Sequence, residues 1–323
     1  MEDALVSRRS MLQTAGLMAA SLAVPSAEAL GDPRQGFQKK RVLRIAHMTD
    51  IHVQPERKAA LGWEKCIEHA QGQRDKPDMI FIGGDMIMDS LVADALRTKA
   101  QWDIFKKVLK RNAEIPVEYC LGNHDVWGWG ARSTYRSESR FGKTFALEAL
   151  ELEKPYKSFD RGGWHFVILD STAPLAGNGY TAKLDNRQFE WLEDDLAKVP
   201  KNTPVFVLSH IPILSACAFY HGDNEKSGHW KVPGAWMHID SRRIKDLFNR
   251  YPNVKICVSG HIHLVDRVHY CGVTYTCRGA VCGGWWGGDF QETTFGYSMI
   301  DLFNDGTFFT RYVPFGWKPD GTI

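Results

Sequence analysis

Residues 42–52 read VLRIAHMTDIH: a β-rich apolar run, Val42 to Met48, that stops at Thr49 and delivers an aspartate and a histidine, Asp50 and His52. Short apolar runs that break off at polar residues are the mark of buried strands. The arrangement recurs four times. Met79 to Ile82 ends at Gly84-Asp85, Pro116 to Leu121 at Gly122-Asn123-His124-Asp125, Val205 to Leu208 at Ser209-His210, and Val254 to Val258 at Gly260-His261-Ile262-His263. Helix-like stretches lie between these strands, and such alternation predicts βαβ units and an α/β fold. In α/β sheets, ligands gather in the crevice at the carboxyl ends of the strands. Folding therefore brings together Asp50, Asp85, Asn123, His210 and His261, which are tens of residues apart in the chain.

The intervening helices are expected over Arg57 to Gln71, Leu91 to Arg111, Leu184 to Lys198 and Ser241 to Arg250, each with apolar residues at helical spacing and with Asp185 placed to cap the third. A polar insertion, Trp127 to Lys157, carries a further helix at Lys143 to Leu150. Ser158 to Leu169 reads as a hairpin turning through Arg161-Gly162-Gly163. From Val265 the chain is rich in strands and turns, with runs at Arg267 to Tyr270, Val273 to Cys277, Tyr297 to Phe303 and Thr307 to Val313. Residues 41–323 thus form a single domain whose C-terminal part, from about 265 to 323, is β-rich.

The 323 residues carry 40 basic and 38 acidic side chains, and a formal charge of +2 gives no global reason to bind nucleic acid or an anionic membrane. Residues 1–29 read as a targeting segment: Ser7-Arg8-Arg9-Ser10-Met11-Leu12, an apolar run from Ala15 to Val24, then Pro25 and the small-residue site Ala27-Glu28-Ala29. The paired arginines point to the twin-arginine export machinery. The apolar run is too short for an ordinary transmembrane helix, so cleavage leaves no stable membrane anchor and an exported protein, periplasmic or extracellular. Residues 30–40 are a linker. Seven cysteines show no CxxC spacing; Cys120 and Cys257 read as buried thiols, and a disulfide among Cys271, Cys277 and Cys282 is open to an oxidising compartment.

The five strand ends supply oxygen and imidazole donors enough for two metal ions, and imidazole favours Fe, Mn or Zn over Ca. Two such ions roughly 3.5 to 4 Å apart bind phosphoryl oxygens and acidify a shared water, so the set points to hydrolysis of a phosphate ester. The order D-x-H, GD, GNHD, H, GHxH, running from Asp50 to His263 over about two thirds of the chain, resembles the calcineurin-like metallophosphoesterase superfamily. The resemblance implies a β-sandwich flanked by helices, four layers in the order αββα, around two divalent or trivalent metal ions. It assigns Asp50, His52 and His263 to one ion, Asn123, His210 and His261 to the other, and Asp85 to both. His124 becomes the general acid or charge stabiliser, Asp125 the residue that orients its imidazole, and a metal-bridging hydroxide the nucleophile.

Departures from the pattern narrow the choice. Met88 stands where purple acid phosphatases place a tyrosine, and GNHD with Met86-Ile87-Met88 differs from the Ser/Thr protein phosphatases. The blocks look most like class III cyclic-nucleotide phosphodiesterases, which implies a small phosphodiester substrate. A phosphomonoesterase, or a nucleotide or diphosphate hydrolase, would use the same site, and a non-catalytic binding protein on this scaffold would be marked by lost ligands; none is missing. His47 is expected beside the site, and His69, His165 and His269 away from it. The segment Ala216 to His238 is a candidate substrate loop, Arg132, Arg136 and Arg140 a basic face, and Trp127, Trp129, Trp285 and Trp286 aromatic surface or core.

Overall fold

Alternate side chains of the first strand, β1 (Arg41–Met48), enter two different cores: Leu43 and Ile45 one, Ala46 and Met48 the other. A strand buried on both faces belongs in the middle of a layered fold. The computed structural model describes residues 38–177 and 179–322; the expected signal segment, 1–29, and the linker up to residue 37 lie outside the described residues.

After β1 come α1 (Ala59–Gln71), β2 (Met79–Ile82), α2 (Ala95–Asn112), β3 (Val117–Tyr119), α3 (Thr144–Leu150), β4 (Lys157–Arg161) and β5 (Trp164–Leu169). A small hairpin follows, β6 (Thr172–Pro174) and β7 (Tyr180–Ala182), then α4 (Asn186–Lys198), β8 (Val205–Ser209), α5 (Ser241–Arg250) and β9 (Val254–Ser259). The chain ends with β10 (Val268–Tyr270), β11 (Val273–Cys277), β12 (Gly296–Phe303) and β13 (Phe308–Pro314). One sheet has the order β13-β12-β1-β2-β3 and the other β10-β11-β9-β8-β5-β4. The strands β1, β2 and β3 are parallel, as are β5, β8, β9 and β11. The β-rich C-terminal stretch is therefore divided: β10 and β11 extend one sheet, and β12 and β13 the other.

Three apolar cores separate four layers. Between the sheets lie Ile45, Phe81, Phe166, Phe206, Leu208 and Ile256, with Phe81 edge-on to Phe166 and Phe206. Against the first sheet α1 and α2 pack Trp63, Ile67, Trp102 and Phe105; against the second α4 and α5 pack Phe189, Leu192, Ile244 and Phe248. This is the αββα order expected of the chain. Non-directional burial of apolar area holds the layers, and each large aromatic contributes on the order of 1.5–3 kcal/mol.

Helix α2 starts later than its apolar pattern suggests. Asp94 caps it by accepting from Arg97 N at 2.7 Å, and Leu91 to Ala93 instead form a turn whose carbonyls serve the insertion, with Leu91 O accepting from Gly130 N. Asp185 caps α4 as expected, accepting from Gln188 N at 2.7 Å. The hairpin β6–β7 has too few apolar residues for its pattern to be seen. All seven cysteines are free, so the disulfide considered among Cys271, Cys277 and Cys282 is absent.

The junction of β1 with β12 is held by a polar clamp. Arg44 and Asp301 face each other in register, and Nε and Nη2 of Arg44 donate to the two Asp301 oxygens at 2.6 and 2.7 Å, with both residues buried. Removing Asp301 leaves Nε and Nη2 of buried Arg44 without their acceptor, while Nη1 keeps its pairing with exposed Asp75 at 2.6 Å. Asp301→Ala should therefore lower unfolding free energy by about 1.5–3 kcal/mol, read from urea denaturation, and a loss near zero would show the clamp to be solvated.

Candidate metal centre

The strand ends turn sharply into the crevice. Asp50, His52, Asp85, His261 and His263 all have left-handed backbones, with φ of 54°, 45°, 50°, 71° and 62°. Non-glycine residues rarely adopt this conformation, and where they do the surrounding fold holds them there for function. Glycines let the turns approach one another: a Cβ on Gly122 would lie 2.1 Å from Asp85 Oδ1, and one on Gly260 would lie 2.2 Å from Asp50 Oδ2. Folding thus costs strain at this spot, and it is spent on aiming carboxylates and imidazoles at one another.

All seven candidate donors converge. Asp85 Oδ2 lies 3.6 Å from His52 Nε2 on one side and 3.2 Å from His210 Nε2 on the other. Beyond His52, its Nε2 is 3.3 Å from His263 Nε2, which is 3.4 Å from Asp50 Oδ1. Beyond His210, its Nε2 is 3.2 Å from Asn123 Oδ1, and a ring nitrogen of His261 falls within 4.8 Å of both His210 and Asp85. Backbone carbonyls fix the rings: Nδ1 of His210 donates to Gly83 O at 2.8 Å and Nδ1 of His263 to Gly283 O at 2.7 Å, leaving Nε2 of each for the centre. Such outer partners are what orient metal-binding histidines.

Metal ions fit this donor set. Lone pairs of oxygen and nitrogen face one another at short range, and Nδ1 of His261 is buried with no hydrogen-bond partner among the described residues. A cation satisfies both conditions. Burial and neighbouring histidines push His52 and His261 down to about 3, so both are neutral imidazoles at physiological pH, the form that binds metal. Burial opposes charge on Asp85, but His210 and His124 outweigh it and hold the carboxyl well below its usual range. His210, disfavoured as a cation by burial, is nonetheless pushed up to about 9 by Asp85.

The role expected of Asp125 needs correction. Its carboxylate accepts from Gly122 N at 2.8 Å, Met86 N at 2.9 Å and Ile87 N at 3.3 Å, and so ties the Asp85 turn to the Gly122 turn. The His124 imidazole is oriented by another group, Nδ1 donating to Met88 O at 2.7 Å. Three converging amide donors are a stronger draw for a buried carboxylate than a single ring N–H. His124 N donates to Asp85 Oδ1 at 2.8 Å, which holds its ring beside the centre, 4.7 Å from that of His52.

Residues 43–265 match the calcineurin-like phosphoesterase family. The chain belongs to that family. A 3',5'-cyclic-nucleotide phosphodiesterase of Nostoc sp. is 24% identical over 315 residues, 89% of this chain and 98% of its own length. A probable glycerophosphodiester phosphodiesterase of Arcobacter nitrofigilis is 22% identical over 229 residues, 69% of this chain and 72% of its own. A dimetal phosphatase of Danio rerio shares the fold, with a TM-score of 0.57 at 13% identity over 84% of this chain and 99% of its own. As a calcineurin-like phosphoesterase, the protein is a metal-dependent phosphoester hydrolase.

Other residues sort themselves by contact. In this phosphoesterase His47 is fully buried behind the site against Gly83, and His69, His165 and His269 are held by Tyr297, by Asp160 with Asp195, and by Thr274 respectively. Arg140 pairs with Glu148, and Arg136 reaches Gly177 O. Trp127, Trp129 and Trp286 are core side chains. Trp285 sets its ring 4.6 Å from that of His263. The loop after His210 folds on itself through buried Asn224, and its His221 packs on Trp236 and on Phe290, which reaches Trp285 and His263. Sequence reading missed the carbonyls of Met88 and Gly283, which leave no side-chain signature, and the Cys282 sulfur, which lies within 4.8 Å of a ring nitrogen of both His52 and His263. The one available hint was the glycine-rich stretch Gly283 to Gly288, where chain can approach chain closely.

Proposed function

We propose that the protein is a two-metal phosphodiesterase acting on a small molecule, with Asp50, His52 and His263 holding one ion, Asn123, His210 and His261 the other, and Asp85 both. The observation that carries this is the Asp85 carboxylate, within 3.6 Å of a histidine of each set. When bound, the ions supply Lewis-acid charge to the phosphoryl oxygens and an acidified water as nucleophile. Fe, Mn and Zn suit the mixture of carboxylate, amide and imidazole.

The chain's own contribution is placement. Asp85 sets the separation of the two positions, and the Gly83 and Gly283 carbonyls aim His210 and His263. His124 is the proton donor to the leaving oxygen, with its ring fixed by Met88 O. The converging donors include no arginine or lysine, which suits the one negative charge of a diester better than the two of a monoester above its second pKa near 6. Similarity to a cyclic-nucleotide phosphodiesterase over nearly the whole chain supports the same choice. Metal-reconstituted protein should turn over bis-4-nitrophenyl phosphate faster than 4-nitrophenyl phosphate. Preference for the monoester would overturn the diesterase reading while leaving the metal centre intact.

Export belongs to the same proposal: the twin-arginine machinery carries the folded, metal-loaded protein to the periplasm or beyond. Replacing Arg8 and Arg9 together by lysine should hold the chain in the cytoplasm, as followed by fractionation. Unchanged export would refute the twin-arginine route.

A further inference from the structure

A sulfur atom stands beside one half of the centre. Sγ of Cys282 and one ring nitrogen each of His52 and His263 lie within 4.8 Å of one another, all three residues being buried, whereas the group formed by Asp85, His210 and His261 includes no cysteine. Cys282 is also pinned beside the third donor of that half, its N–H donating to Asp50 O at 3.2 Å.

The chain after Cys282 is shaped around His263. Trp286 N donates to Cys282 O at 2.7 Å, closing a turn in which Trp285 and Trp286 both take left-handed backbones, with φ of 52° and 66°. Bulky side chains adopt such angles only where the surroundings compel it. In this turn Gly283 O receives Nδ1 of His263, the Trp285 ring covers the His263 ring, and Trp286 Nε1 donates to Ile51 O at 2.9 Å, next to His52. The strained turn therefore serves this half of the centre, and Cys282 is its first residue.

Other buried thiols are occupied differently. Cys120 donates to Leu169 O at 3.2 Å and Cys277 to Gly260 O at 3.0 Å, while Cys66 and Cys257 lie in apolar cores. Cys282 Sγ interacts with the His263 side chain and makes a long contact, 3.5 Å, to the carbonyl of the residue that follows it.

We propose that Cys282 is a further donor to the ion held by Asp50, His52 and His263, and that its sulfur makes this half of the centre selective for softer cations such as Zn, Fe(II) or Co(II) over Mn and Mg. The proposal rests on the two-metal reading above and adds to it a chemical asymmetry between the two positions. Binding replaces the S–H bond by an S–metal bond and passes the proton to solvent, as thiolate coordination requires. Soft thiolate is the ligand type that discriminates in this direction; carboxylate and amide oxygen alone do not.

Cobalt(II) titration of the full-length metal-free protein tests this without recourse to turnover. Wild-type protein should develop ligand-field bands in the visible and a sulfur-to-metal charge-transfer band in the near ultraviolet. Cys282→Ser and Cys282→Ala should keep the visible bands and lose the charge-transfer band, while Cys277→Ser keeps both. Cadmium(II) affinity should fall in the Cys282 variants by at least the roughly 10- to 100-fold that removal of even an outer partner brings. Visible bands without a charge-transfer band in the wild-type protein would overturn the role of Cys282 and leave the two-metal centre standing, independently of how any variant folds. Unchanged cadmium affinity or a retained band in the variants would overturn it too. Failure of the wild-type protein to bind cobalt at all would overturn both.

Discussion

Asp85→Ala should reduce bound metal from two ions per chain to at most one and lower diester turnover by at least about 10³-fold, the upper end of what loss of one charge-stabilising group costs. The size of the effect follows from position. Asp85 Oδ2 lies within 3.6 Å of a histidine of each set, and Asp85 Oδ1 accepts from the backbone N–H of His124, so one carboxylate would tie together both proposed metal positions and the proposed proton donor. Metal analysis of Asp85→Ala after reconstitution, with circular dichroism to confirm the fold, reads the effect. Two ions retained by Asp85→Ala would remove the aspartate from its bridging place.

His124→Ala should slow hydrolysis of esters with poor leaving groups by about 10²- to 10⁴-fold, the usual worth of a positioned general acid, and affect nitrophenyl esters far less. The tautomer sets this difference. Because Nδ1 of His124 donates to Met88 O, the neutral ring has its lone pair on Nε2, and only the imidazolium carries an Nε2 proton to give away. A departing nitrophenolate is stable without that proton; an alkoxide is not. Equal losses for both ester types in His124→Ala would assign the ring a role in charge stabilisation instead.

The layers were legible because burial on both faces writes itself into a strand. Ile45 with Ala46, and Phe206 with Val207, alternate between cores, so the runs that contain them read as near-continuous apolar stretches. The polar residues at which those runs stop mark the strand ends, and the five ends meet as topology requires. What sequence could not show is carried by main chain. The left-handed turns at Asp50 and Asp85, the carbonyls that fix His124, His210 and His263, and the three amides that claim Asp125 belong to no residue type. Asp125 shows the consequence: adjacency in GNHD suggests a partner for His124, whereas three-dimensional neighbours make it a brace between two turns. Cys282 was hidden for another reason: its 19-residue separation from His263 matches no metal-binding spacing, and main-chain bonds, Val281 N to Thr49 O and Cys282 N to Asp50 O, set it beside the centre.

Crystals of the metal-reconstituted protein, with anomalous scattering recorded at the edge of the bound element, address the central claim directly. The account expects two peaks roughly 3.5 to 4 Å apart, with an oxygen of Asp85 between them, Asp50, His52 and His263 around one and Asn123, His210 and His261 around the other. A single peak, or a pair that leaves Asp85 uncoordinated, would contradict it.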